Sequence, residues 1–188
     1  LVSSSAASDV YKRQVYDNIK KDVHLASIAG GTDLVGCLVL GNLFSNVFKG
    51  EIQGQSLGIE VDVFSDVGKS TADGEKGELV VKQPFPSMPI KFWGDDDKQK
   101  YHNAYFTRFK NIWHHGDFIE RTANNGFIMR GRSDATLNPG GVRIGTSEIY
   151  QQVEDIDFIT EGLVIGQDYN DDVRVILFVT TKNNEELN

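Results

Sequence analysis

The alternation of apolar and polar positions predicts many short strands and few helices. Residues 58–64 (GIEVDVF) alternate apolar and acidic side chains at the two-residue period of a strand. A turn is expected over 65–68, and Asp73-Gly74 is a turn pair that leads into a second strand, GELVV, over 77–81. The whole stretch 38–82 is punctuated by glycine, and it predicts a small antiparallel sheet or barrel with its charged residues facing solvent. Upstream, the apolar run 25–28 enters Gly30-Gly31, as a buried strand entering a glycine turn would. Downstream, GFIMRG over 126–131 predicts a strand bounded by glycines. The runs 163–165 and 174–179 predict strands joined by a turn over 168–172. Helical signal is sparse. A weak helix is expected over 15–25. Another begins near Gly145, where Ile149, Tyr150, Val153 and Ile156 share one face. Thr146 or Ser147 can cap it, and Glu148 suits the positive end of its dipole, a structural role.

Prolines 84, 86 and 89 fix φ and lack a donor, so residues 83–89 are expected as an extended surface or edge segment anchored by Phe92 and Trp93. Asp95, Asp96 and Asp97 follow a glycine and read as a turn or helix start, not as a metal cluster. The aromatic-rich stretch 101–109 is expected to cover the core. Residues 1–14 (LVSSSAASDVYKRQ) are small and polar and resemble translated adapter sequence. They are expected to be a non-native or disordered leader and carry no weight for the fold.

Composition narrows the class without identifying it. The 188 residues suffice for one or two domains, and 39% hydrophobic with 24% charged residues is ordinary for a globular protein. Twenty-seven acids against 19 bases give a net charge of -8, with no dense basic block, so nucleic acid is not an expected partner. Cys37 is the only cysteine, which excludes an internal disulfide and fits a reducing compartment. No apolar run reaches membrane-spanning length, and the start lacks a charged-then-apolar signal. A cytosolic location is the expectation.

Candidate chemistry concentrates in two clusters, WHHGD over 113–117 and GRSDATLNPGGVRIGTSEIY over 131–150. His114 and His115 are neighbours on an expected strand and should point to opposite faces, which argues against a shared metal. Asp117 is a carboxylate able to accept hydrogen bonds from both hydroxyls of a ribose. Arg132 is a permanently charged fork suited to ribose oxygens or phosphate. The acid and the arginine fall at opposite ends of a hairpin-like unit. Thr32 and Asp33 follow Gly31 and can serve a phosphate-bound magnesium, a hard cation that prefers oxygen. Taken alone, Gly30 to Asp33 reads better as a plain turn.

The order GD, then GRxDxxxNxxGxRxGxxEI, with SIAGGTD over 27–33, resembles the adenylate-forming superfamily of acyl-CoA synthetases, luciferases and peptide-synthetase adenylation domains. The segments KGEIQ, LGIEV, FWGDDD, KYHNAYF and IWHHGD are similar to its acetoacetate-activating branch, and the resemblance runs over 15–188. It implies an α/β (α+β) fold. Residues 15–133 would be the β-rich end of the large AMP-binding domain, with a barrel-like region. Residues 134–188 would begin the small mobile C-terminal lid domain, truncated. It implies an ATP-dependent acid–thiol ligase acting on acetoacetate, ATP and CoA with Mg2+. Gly31, Thr32, Asp117, Arg132 and Arg143 would bind ATP or AMP. Asp33 would serve the magnesium, Asp134 would be the hinge, and Gly141 would line the tunnel for the CoA thiol. Asp33 stands where most of the superfamily has glutamate, and the shorter acid leaves room for an intervening water. No residue here is expected to be catalytic, because the family's lysine and phosphate loop match nothing in this stretch, so the chain alone is expected to be inactive. Two rival readings are a synthetase for acetate or propionate and a non-catalytic β-rich interaction module with nucleotide-binding remnants.

Overall fold

The computed structural model describes residues 5–135, 137, 139–142, 144–154, 156, 158–170 and 172–182. Its centre is a four-stranded antiparallel sheet in the order β4-β5-β6-β7, formed by β4 (Val61–Phe64), β5 (Lys76–Val81), β6 (Trp113–Arg121) and β7 (Phe127–Arg132). Beside it lies a smaller antiparallel sheet of β1 (Ala29–Gly31), β2 (Gly36–Leu40) and β3 (Gly54–Gln55). One core serves both sheets. Leu38 and Val39 of β2, Val63 of β4, Leu79 of β5 and Trp113 and Ile119 of β6 are all buried. The helix α2 (Gln99–Tyr105) covers this core with Tyr101 and Tyr105, whose rings meet Phe92 and Trp113. Lys98 is its N-cap residue, and Asp95, three residues earlier, accepts hydrogen bonds from the first-turn backbone N–H groups of Lys100 and Tyr101 at 3.1 and 2.8 Å. The acid run thus caps, as its position after Gly94 predicts.

Several expectations change. Among the described residues the sheets do not close into a barrel; the strands form open sheets with edges. The charged residues of β4 and β5 do not all face solvent. Asp62 is buried, and it is held by Ser70, Arg121 and Lys82. Glu78 is fully buried. Alternation identifies which residues share a face, but here the second face is covered too. β1 falls on Ala29–Gly31 rather than on 25–28, because antiparallel pairing with β2 selects the glycine stretch. A Cβ on Gly30 would collide with the carbonyl oxygen of Gly36 on β2, so only glycine permits that approach. The segment expected as a leader is helical from Ser5 onward in α1 (Ser5–Asn18), which also starts upstream of the weak helix expected over 15–25. Ala6, Ala7, Lys12, Arg13 and Gln14 are strong helix formers, so propensity supplies what periodicity lacks.

Beyond β7 the chain makes two short 3-10 turns, Ser133–Ala135 and Pro139–Gly141. The helix α3 (Thr146–Glu154) follows, then an antiparallel ribbon of β8 (Ile159–Tyr169) and β9 (Asp172–Thr181). Gly145, rather than Thr146 or Ser147, holds the capping position. Glu148 reaches back to its N–H at 3.2 Å, the glutamate half of a capping box. Glu148 also takes Lys76 of β5 at 2.7 Å, which ties α3 to the central sheet and fits its expected structural role. No helix among the described residues is long and apolar enough to cross a membrane.

Candidate functional site

Two irregularities in β6 and β7 build the site. Val80 of β5 pairs with His114, but Glu78 pairs with Phe118, so β6 bulges through residues 115–117. A second register shift separates Phe118 from Ile119 against β7. Bulges bend a strand and re-aim its side chains. Gly116 makes the first one possible. Its φ is 83°, and a Cβ there would sit 2.7 Å from Nη2 of Arg132. The two strands join through residues 122–126, so Asp117 and Arg132 are direct cross-strand partners at the open end of the hairpin. This corrects the expectation that they lie at opposite ends of the unit; chain order had hidden that the turn brings them back together.

The pair is in contact. Arg132 donates from Nη1 to Asp117 Oδ1 at 3.2 Å and to the His115 carbonyl at 3.2 Å, and Nε reaches Asp134 Oδ1 at 3.4 Å. Asp117 is only 7% exposed. Burial pushes its carboxyl above the ordinary carboxylate value, and the nearby His115 and Arg132 offset this only in part. His115 lies 3.6 Å from the other carboxylate oxygen. Burial lowers its imidazole pKa despite that acid. Its Nδ1 accepts from the Trp113 indole at 3.3 Å, which leaves the proton on Nε2, facing Asp117. The adjacent histidines do part company as expected, since His114 turns to Glu78 at 3.0 Å.

A cavity of about 490 Å³ opens at this end of the sheet. Gly30, Gly31, Asp33, Arg132 and Asp134 line it, together with Tyr105, Arg108, His114, His115 and Ser133. Asp33 accepts a hydrogen bond from the Tyr105 hydroxyl. Burial and the Asp33 contact push the phenol pKa up, so it stays a donor at neutral pH. Tyr105 is itself stacked on Trp113, with ring centroids 3.7 Å apart. Behind the cavity wall sits Glu78. It takes His114, Arg108 at 3.1 Å, and the Ser133 hydroxyl.

The expected site residues therefore divide. Gly31, Asp33, Arg132 and Asp134 share one cavity, and Asp117 is bonded to its wall through Arg132. Thr32 is exposed in the turn after β1 and is not among the lining residues. Gly141 ends the second 3-10 turn. Arg143 lies outside the described residues, as does Asn138 of the expected 138–141 turn. Tyr105, Arg108, Ser133 and Glu78 were missed. Tyr105 and Arg108 sit in the stretch read as core cover, and Glu78 sits in a strand read as solvated. Among the described residues no three His, Cys, Asp or Glu side chains cluster as a metal site. One carboxylate such as Asp33 is still compatible with magnesium, which keeps several waters and takes its other ligands from phosphate.

No family model matches the chain. Among curated proteins it is 61% identical over 173 residues to the acetoacetyl-coenzyme A synthetase of Rhizobium meliloti (strain 1021), covering 92% of this chain and 26% of that protein. It is 46% identical over 173 residues to the acetoacetyl-CoA synthetase of Gallus gallus, covering 90% and 26%. A solved structure of acetoacetyl-CoA synthetase from Streptomyces lividans superposes with a TM-score of 0.83 at 38% identity, over 94% of this chain and 27% of that one. A benzoate CoA ligase from Burkholderia xenovorans LB400 shares the fold, with a TM-score of 0.67 at 23% identity over 87% of this chain and 31% of that one. The chain spans about a quarter of the length of the curated relatives it matches.

Proposed function

Since this chain corresponds in sequence and fold to one stretch of the acetoacetyl-CoA synthetases, we propose that it forms the nucleotide-facing part of an ATP-dependent acid–thiol ligase. In the first half-reaction a carboxylate oxygen of acetoacetate attacks the α-phosphorus of ATP, and pyrophosphate leaves. In the second, the CoA thiol attacks the acyl carbon of the adenylate. Acetoacetyl-CoA forms and AMP departs. Positioning and stabilisation of phosphate charge supply most of the acceleration in chemistry of this kind.

The observation that carries the reading is the convergence of Asp33, Arg132 and Asp134 on one cavity, with buried Asp117 held against Arg132. Asp117 would accept the two ribose hydroxyls, and Arg132 would hold the ribose or phosphate oxygens. Gly31 leaves the backbone open to the nucleotide, with Thr32 and Arg143 as further phosphate contacts. Asp33 would hold magnesium, which supplies charge neutralisation on the phosphates. Gly141 would line the passage for the CoA thiol. Asp134 would be the joint between a large domain ending at 133 and a lid beginning at 134, with cytosol as the setting.

The test is a full-length chimera carrying this chain in place of the matching stretch of the Rhizobium relative. It should bind AMP, exchange pyrophosphate into ATP with acetoacetate, and form the thioester with CoA. The 188-residue chain alone should release no pyrophosphate. A folded chimera that does not bind AMP would sink the proposal and favour an interaction module.

A further inference from the structure

Glu78 has no part in the chemistry proposed above, yet its setting is unusual. It lies on β5 with no exposed surface, and its carboxylate faces three polar groups from three separate segments. His114 of β6 approaches Oε2 at 3.0 Å. Arg108, beyond α2, approaches Oε1 at 3.1 Å. The Ser133 hydroxyl donates to Oε2. Burial alone would raise the carboxyl pKa, but the bonds from His114 and Ser133 and the charge of Arg108 outweigh it and hold the group ionised. A buried carboxylate is tolerated only when it is paired in this way.

The placement matters more than the bonding. Ser133 lies between Arg132 and Asp134, both of which face the cavity and are bonded to each other. The side chains of Arg132 and Asp134 are 49% and 75% exposed, so neither is held by packing. Arg132 is tied to the interior through buried Asp117, and Ser133 adds a second tie, to Glu78. Arg108 and His114 line the same cavity, so a single buried carboxylate braces three of its wall residues.

We propose that Glu78 is the positioning residue of the joint: it grips Ser133, and through Ser133 it sets Arg132 and Asp134 against the cavity. This rests on the reading of the cavity as a nucleotide site and of Asp134 as the hinge. The Ser133–Glu78 bond is then the contact that must break before the backbone at Asp134 can turn.

Trypsin tests it, because Arg132 precedes Ser133 directly. On the full chain, cleavage after Arg132, followed by mass spectrometry under native conditions, reads local opening of the joint. Ser133→Ala removes the grip but leaves Glu78 with Arg108 and His114, so the core should survive. We expect cleavage after Arg132 to rise about tenfold or more, the loss of one hydrogen bond to a charged group. Cleavage after Arg121, which is tied to Asp62 and Asp73, should not change. Ser133→Thr keeps the hydroxyl and should restore slow cleavage. In the full-length chimera, Ser133→Ala should change the ratio of thioester formation to pyrophosphate exchange, whereas a purely structural loss would lower both equally. If Ser133→Ala leaves cleavage after Arg132 unchanged, Glu78 only satisfies buried polar groups and the proposal fails, even if AMP binds. If cleavage rises while the chimera binds no AMP, the anchor stands and the nucleotide reading fails.

Discussion

Replacing Asp117 with alanine separates ligand binding from folding more cleanly than any other change at the site. The carboxylate is buried, and burial raises its pKa even with Arg132 and His115 beside it. The folded state therefore gains little from its charge, and a buried acid with a shifted pKa beside a cleft is a signature of function. Its removal does not strand Arg132, which keeps the His115 carbonyl and Asp134 and is half exposed. Thermal stability of Asp117→Ala should accordingly not fall. Nucleotide affinity should. Hydrogen bonds to a charged group contribute about 1.5–3 kcal/mol each, and about 1.4 kcal/mol is tenfold in affinity. One oxygen is already shared with Arg132, so the two ribose contacts are worth less than two full bonds, and a loss of about ten- to a hundredfold is expected. Calorimetric titration of AMP into the full-length chimera measures it, with Asp117→Asn falling in between. The sign of the pH effect follows from the raised carboxyl. Ribose hydroxyls bind the ionised form, so affinity should weaken as pH falls toward Asp117's elevated pKa, beginning above the ordinary 3.8. His115, whose pKa burial lowers, is largely neutral at neutral pH. An AMP affinity within threefold of the parent, in a folded Asp117→Ala protein, would refute the reasoning and leave Asp117 as a strand-end acid.

Two further outcomes are expected. In the chimera, Asp134→Pro locks φ near about -65° and restrains Ser133, so pyrophosphate exchange should survive while thioester formation from preformed adenylate falls sharply; equal loss of both halves in a folded protein would remove the joint from this position. Trp113→Ala empties a site that is 1% exposed and stacked against Tyr105, which should cost about 3–5 kcal/mol in denaturant unfolding. A cost below about 1 kcal/mol would mean that α2 does not rest on Trp113.

Much of the frame was legible because it is local. The alternation in 58–64, the Asp73-Gly74 turn and GELVV mark β4 and β5 within a few residues, and the acid run before α2 announces its own cap. The short sequence clusters likewise expose Asp117 and Arg132, since a carboxylate and a guanidinium beside glycines carry their chemistry in their types. What was illegible is long-range. Tyr105 meets Asp33 across 72 residues, and Glu78 meets Ser133 across 55. A strand's period gives two faces without saying what covers each, so Glu78 and Asp62 read as solvated when both are enclosed. The two bulges are hidden for the same reason: one or two extra residues against the neighbouring strand leave no mark on the alternation of β6 or β7 itself. Yet those bulges turn His115 and Arg132 toward one cavity, with Asp117 bonded behind Arg132, and Gly116 is the residue that allows it. Glycine at 116 therefore carries more of the site than its lack of a side chain suggests. Any other residue there would be strained at a φ of 83°, and its Cβ would make the guanidinium of Arg132 shift, beside the Asp117 pair on which the proposed nucleotide contacts depend.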